Sequence, residues 1–110
     1  MSMFGNLGEM AGLMKKFGEI QKNMKQMKEE LPRIEVLGED SNNLVQAKVS
    51  GDFSLRSLYI TPALAASGDT DALQNAVFEA VNQALVKAKM ESAKKLSEAT
   101  GGIPIPGLTD

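Results

Sequence analysis

Between residues 10 and 31 the apolar side chains Met10, Leu13, Phe17, Ile20, Met24, Met27 and Leu31 recur at alternating steps of three and four. That is the seam of an α-helix sustained over about three heptads, and Met14 widens it. Pro32 ends it, because the proline ring disfavours helical backbone at the residue before it. At about 1.5 Å per residue, a helix from Leu7 to Leu31 is about 37 Å long. A chain of 110 residues supports one domain, 1–110, with a modest core. A helix of that length outruns such a core unless another helix lies alongside.

The pattern then changes period. RIEVLG places Ile34 and Val36 on one face, and LVQAKVS places Val45, Ala47 and Val49 together. EDSNN, residues 39–43, is a turn, since its side chains hydrogen-bond their own backbone. Gly51-Asp52 signals a two-residue hairpin. FSLRSLYI sets Leu58 and Ile60 on one face and Phe53, Leu55 and Tyr59 on the other, until Pro62. Strands are thus predicted within 33–60. Neither face of the last strand is polar, so one is expected under helices and the other at least partly in an interface. The open edges of a three-stranded sheet also favour pairing with a second chain.

A second long helix is predicted over 69–99. Asp69, Thr70 and Asp71 offer an N-cap and suit the positive end of the helix dipole. Leu73, Val77, Ala80, Val81, Ala84, Leu85 and Ala88 form its apolar stripe, whose alanines permit close approach. Gly101-Gly102 is a C-terminal stop. GGIPIPGLTD follows as an extended tail over 100–110, because Pro104 and Pro106 exclude helix. The fold class is α+β, in the order α-β-β-β-α, with a three-stranded antiparallel sheet and two long helices.

Charge is unevenly distributed. From Met10 to Lys28, Lys15, Lys16, Lys22, Lys25 and Lys28 face only Glu19, a balance of +4. From Glu29 to Val86 nine acids meet Arg33, Lys48 and Arg56, a balance of −6. From Lys87 to Lys95, Lys87, Lys89, Lys94 and Lys95 meet Glu91, a balance of +3. A meander returns the second helix across the sheet to run antiparallel to the first, so these lysines are expected on one protruding helical pair. Flexible cations along a surface suit phosphate binding, which weakens steeply with salt. No arginine lies on the first helix to read base edges, so weak sequence preference is expected. On pattern alone the commoner use of such lysines is a solvated face, paired here with Glu19, Glu29, Glu30 and Glu91.

Other chemistries lack their residues. There is no histidine to serve as a base near neutral pH and no cysteine for a disulfide or thiolate site. Neither GxxxxGK[ST] nor GxGxxG occurs. Glu39, Asp40 and Asp52 fall in predicted turns, where acids are common, and match no calcium-loop spacing. An enzyme, a cofactor and a small-molecule substrate are therefore not expected. No apolar run is long enough to span a membrane, and MSMFGNLGEM lacks the features of a secretion signal, so a cytoplasmic location is expected. A surface-lying helix is disfavoured too, because the basic segment lacks Trp and has only Phe17 as an aromatic.

Several segments together resemble the YbaB/EbfC family of bacterial nucleoid-associated proteins. They are MFGNLG at 3–8, LMKK at 13–16, IQKNMKQMKEEL at 20–31, LVQAKVSGDFSLRSLYITPAL at 44–64, AVNQA at 80–84 and TGGIPIPGL at 100–108. Their order and spacing carry the resemblance more than any single piece. It implies a homodimer with protruding, tweezer-like helical arms, duplex DNA bound through those helices, and a role in nucleoid organisation and gene regulation. The lysines on the helices are the residues carried over. Thr61 departs from the family, whose members often have Asp after the last strand. The alternative reading is a dimeric helical adaptor that binds another protein through the Met-rich seam or the C-terminal tail.

Overall fold

A computed structural model of the protein describes residues 7–102. Helix α1 spans Leu7–Glu30 and tightens at Leu31–Arg33 into a 3-10 turn that contains Pro32. Strands β1 (Glu35–Glu39), β2 (Val45–Ser50) and β3 (Leu55–Ile60) follow. A short helix α2 (Pro62–Ala65) and a long helix α3 (Thr70–Ala99) complete the described chain. The order is the expected one, with α2 added where Pro62 opens a turn of helix. Thr61 precedes α2 and its N–H donates to the Leu44 carbonyl, but its buried hydroxyl finds no partner.

Both long helices are bounded by their own residues. Asp69 Oδ1 accepts from the Ala72 N–H at 3.0 Å, capping the start of α3. At its end Gly101 and Gly102 take φ values of +65° and +81°. Their N–H groups return to the Glu98 and Ser97 carbonyls at 3.2 and 2.8 Å, the Schellman arrangement. The tail from residue 103 onward lies outside the described residues.

The strands form one antiparallel sheet with β2 in the centre. Val45, Ala47 and Val49 are buried on one face under α3, beside Ala76, Ala80, Ala84 and Ala88. Those four alanines, spaced four apart, let α3 ride very close to the sheet. Gly38 is what permits it, since a Cβ there would collide with the backbone of Ala80 and Ala84. The larger members of the expected stripe, Leu73, Val77, Val81 and Leu85, are only half-buried along the flank of α3.

Two features of the hairpin differ from expectation. The β2–β3 loop has three residues, Gly51 to Phe53, with Ser50 N–H bonded to the Ser54 carbonyl at 2.9 Å and Phe53 at φ +66°. A bulge then pairs Val49 with Leu55 and Lys48 with Ser57, leaving Arg56 over. The extra residue moves Leu55 to the face of Leu58 and Ile60, away from Tyr59. Helix α3 covers β1 and β2 but not β3, so the last strand is open on both faces: Leu55, Leu58 and Tyr59 are all exposed.

Candidate nucleic-acid interface

Helix α1 buries no residue fully. Its seam is half-buried at Ile20, Met24, Met27 and Leu31, where α3 and the sheet lie beside it. At Leu7, Met10, Leu13, Met14 and Phe17 it is bare, with Phe17 64% exposed. The reason is length. The end of α3 meets α1 near Asn23, whose amide donates to the Ala99 carbonyl at 3.4 Å. Lys15 lies eight residues before Asn23, so it stands about 12 Å beyond that junction. The molecule accordingly measures 77 × 22 × 15 Å along its principal axes.

Lys15, Lys16, Lys22, Lys25 and Lys28 are all exposed on α1. Lys15 and Lys22, seven residues apart, lie in one row opposite the seam, with Lys25 beside them. Up to Lys28 the helix carries five lysines against Glu9 and Glu19. Its amino-terminal half therefore presents a lysine row on one side and an uncovered apolar stripe on the other.

The α3 lysines divide. Lys95 reaches the junction, lining a hollow with Asn23, Gln26, Met27 and Glu30, and pairs with Glu98 at 3.7 Å. Lys94 is exposed on the same turn. Lys87 and Lys89 do not join the protruding helices. Lys87 Nζ donates to the Leu37 carbonyl on β1 at 2.8 Å, and Lys89 lies beside Phe53, Leu85 and Val86 on the body. The antiparallel meeting of the helices begins beyond the sheet, and these two lysines lie too early in α3 to reach it.

Asp40 and Asp52 serve the turns. Asp40 is buried, and its carboxylate accepts from the N–H groups of Leu44 and Val45, both at 2.7 Å, and of Asn42 at 3.2 Å. Burial pushes its pKa up, but these donors prevail and hold it below the usual aspartate value. Asp52 accepts from the Ser50 hydroxyl and pairs with Arg56 at 3.9 Å. Among the described residues no acidic cluster is arranged to hold a metal ion, and no helix is long and apolar enough to cross a membrane.

The apolar surface around β3 was only half legible in the sequence. Ile60, Leu73, Val77, Phe78, Val81 and Leu85 line an open groove of about 530 Å³ between β3 and α3. Phe78 is 72% exposed at its rim. The two-sided apolar pattern of FSLRSLYI was the available signal; Phe78 gave none, because it falls outside the helix stripe.

The fold is shared with the uncharacterized protein HP0035 from Helicobacter pylori. The crystal structure of that protein superposes with a TM-score of 0.65, at 21% identity, over 87% of this chain and 97% of HP0035. The family model of the YbaB/EbfC DNA-binding family matches residues 6–103, which takes in α1, the whole sheet and α3. The chain belongs to the YbaB/EbfC family of DNA-binding proteins.

Proposed function

We propose that this protein acts as a homodimer that binds duplex DNA through the lysines of its projecting helices, with weak sequence preference. Its role on this reading is in nucleoid organisation and gene regulation in the bacterial cytoplasm. The observation that carries it is the row of exposed lysines on α1, standing clear of its own subunit, in a chain of a DNA-binding family. Lys94 and Lys95 extend the row at the α1–α3 junction. Lys87 and Lys89 belong to a secondary group on the body, Lys87 held by Leu37. Support for the homodimer comes from the apolar surface around β3 and Phe78, larger in extent than a monomer usually leaves bare.

Lysines at fixed intervals along a helix meet phosphates regardless of base, and α1 has no arginine for bidentate readout of guanine. With roughly six to eight phosphates contacted by two arms, log affinity falls against log salt with a slope of about −5 to −7. A labelled random-sequence duplex titrated by fluorescence anisotropy across a salt series tests this. Binding with a steep slope, reduced when Lys15, Lys16, Lys22 and Lys25 are changed to Gln, supports the reading. A folded dimer that fails to bind at low salt refutes it.

The bare seam from Leu7 to Phe17 favours a second reading, a helical adaptor that docks another protein there. Apolar docking persists as salt rises, whereas phosphate contact is lost, so the same titration separates the two.

A further inference from the structure

The two edges of the sheet are treated differently. In an antiparallel sheet the N–H and C=O of a residue point to the same side, and successive residues alternate. On β1, Gly38 pairs with Ala47 toward β2, so Leu37 and Glu39 point outward. Helix α3 occupies both: Lys87 Nζ donates to the Leu37 carbonyl, and Gln83 Oε1 accepts from the Glu39 N–H at 2.7 Å. That edge is shut by side chains one helical turn apart.

On β3 the Thr61 N–H bonds to the Leu44 carbonyl, so Tyr59 and Ser57 point toward β2 and Leu58 and Ile60 point outward. Among the described residues nothing meets those outward groups. The strand also lacks what usually guards an edge: its only charge is Arg56, it contains no proline, and Pro62 falls after its end. Its side chains are apolar on both faces and exposed on both, and the groove beside Ile60 continues that surface.

We propose that β3 pairs antiparallel with β3 of a second copy about a two-fold axis at Tyr59, joining two sheets into one of six strands. This rests on the homodimer reading above and gives it an interface. Centred on Tyr59, the pairing sets Leu58 of one copy opposite Ile60 of the other, so that every outward N–H and C=O of those residues is bonded. It places Arg56 opposite Pro62, so no like charges face each other. Each residue meets its counterpart, as a two-fold interface requires. The groove of each copy then opens toward the partner, with Phe78 at its rim.

The chain has no cysteine, so single cysteines report this directly. Tyr59 would form a non-hydrogen-bonded pair with its own counterpart, about 4.5 Å between Cα atoms, within reach of a disulfide. Tyr59→Cys, Ser57→Cys and Leu58→Cys are oxidised mildly at low protein concentration, beside Glu35→Cys and Leu37→Cys on the shut edge. Covalent dimer from Tyr59→Cys, with none from the β1 variants, is the expected result. Cross-linking at Ser57 or Leu58 instead still supports β3 pairing, with the axis shifted. Light scattering runs in parallel on Leu58→Pro, which removes an outward N–H and leaves the β2 ladder intact. It should be a folded monomer by circular dichroism.

A dimer by light scattering whose β3 cysteines never cross-link overturns this interface and leaves the homodimer reading standing. A monomer at all concentrations overturns both. A third arm uses a chain ending at Gly102. If β3 amides resist hydrogen exchange in the full chain but lose that protection when the tail is removed, the tail is the strand's partner and the proposal fails.

Discussion

Lys87 Nζ lies 2.8 Å from the carbonyl oxygen of Leu37, and this contact ties the middle of α3 to the outer edge of β1. A lysine so engaged serves the sheet rather than a phosphate. Lys87→Met should leave DNA affinity and its salt slope unchanged within error. Lys22→Gln should reduce the magnitude of the slope by about 0.9. Removing the bond costs about 1 kcal/mol or less, because the pair is exposed. Anisotropy titrations at several salt concentrations and urea melts of the same preparations check both parts.

Replacing Gln83 and Lys87 together uncovers Leu37 and Glu39 on the edge of β1. The double variant Gln83→Ala/Lys87→Ala should remain folded but associate beyond the wild-type state, since an unguarded edge accepts another strand. Light scattering against protein concentration detects it; unchanged mass would show that the edge is protected by something else.

Gly38→Ala should be among the most destabilising single changes in the sheet. The added methyl meets the backbone of Ala80 and Ala84, which cannot rotate away, so α3 must lift. Overpacking of this kind costs about 1–3 kcal/mol, and backbone contact on a continuous helix puts this site at the upper end. A drop in urea midpoint well above that of Gly12→Ala, where the space is open, is the expected outcome.

The sign of the pH dependence follows from Asp40. Its folded pKa lies below the unfolded value of about 3.9, so it stabilises the fold above that pH. The contribution is lost as pH falls through the folded value. Asp40→Asn should be less stable than wild type near neutrality and should lose less stability between about pH 5 and pH 2. Urea midpoints across that range test it; parallel curves for the two proteins would remove Asp40 as the cause.

Phe53 sits at φ +66°, a conformation that an L side chain with a bulky ring adopts at a cost of about 1–2 kcal/mol. Phe53→Gly should therefore raise the stability of the isolated subunit by about 1 kcal/mol, yet weaken self-association, because the ring flanks the apolar surface beside Leu85 and Val86. Opposite shifts in monomer stability and in the dimer dissociation constant are the expected signature.

What the sequence discloses here is periodic, and what it hides is geometric. The seam of α1, the Asp69 cap and the Gly101-Gly102 stop are local patterns, and the structure places them within a residue or two. The bulge at Arg56 left no such mark, since period two runs through it unbroken in the letters and only the pairing with β2 reveals the extra residue. The buried stripe of α3 was read through its large residues, while Ala76, Ala80, Ala84 and Ala88 hold the sheet. Close approach selects the smallest side chains, and hydropathy ranks those low. For the lysines, charge runs grouped Lys87 and Lys89 with the arms, because the distance at which α3 passes the sheet edge depends on that same approach.

The alanine contact also has a mechanical side. From Ala88, the last buried alanine over the sheet, α3 continues about 17 Å to Ala99, and α1 carries on about 12 Å from Asn23 to Lys15. The sheet is the fulcrum of a lever about 29 Å long. A tilt of 5° at that fulcrum swings Lys15 by about 2.5 Å, a sizeable part of the roughly 7 Å between neighbouring phosphates along one strand of duplex. Four methyl groups and a missing one at Gly38 thus set where the arm points, far from any charge it carries.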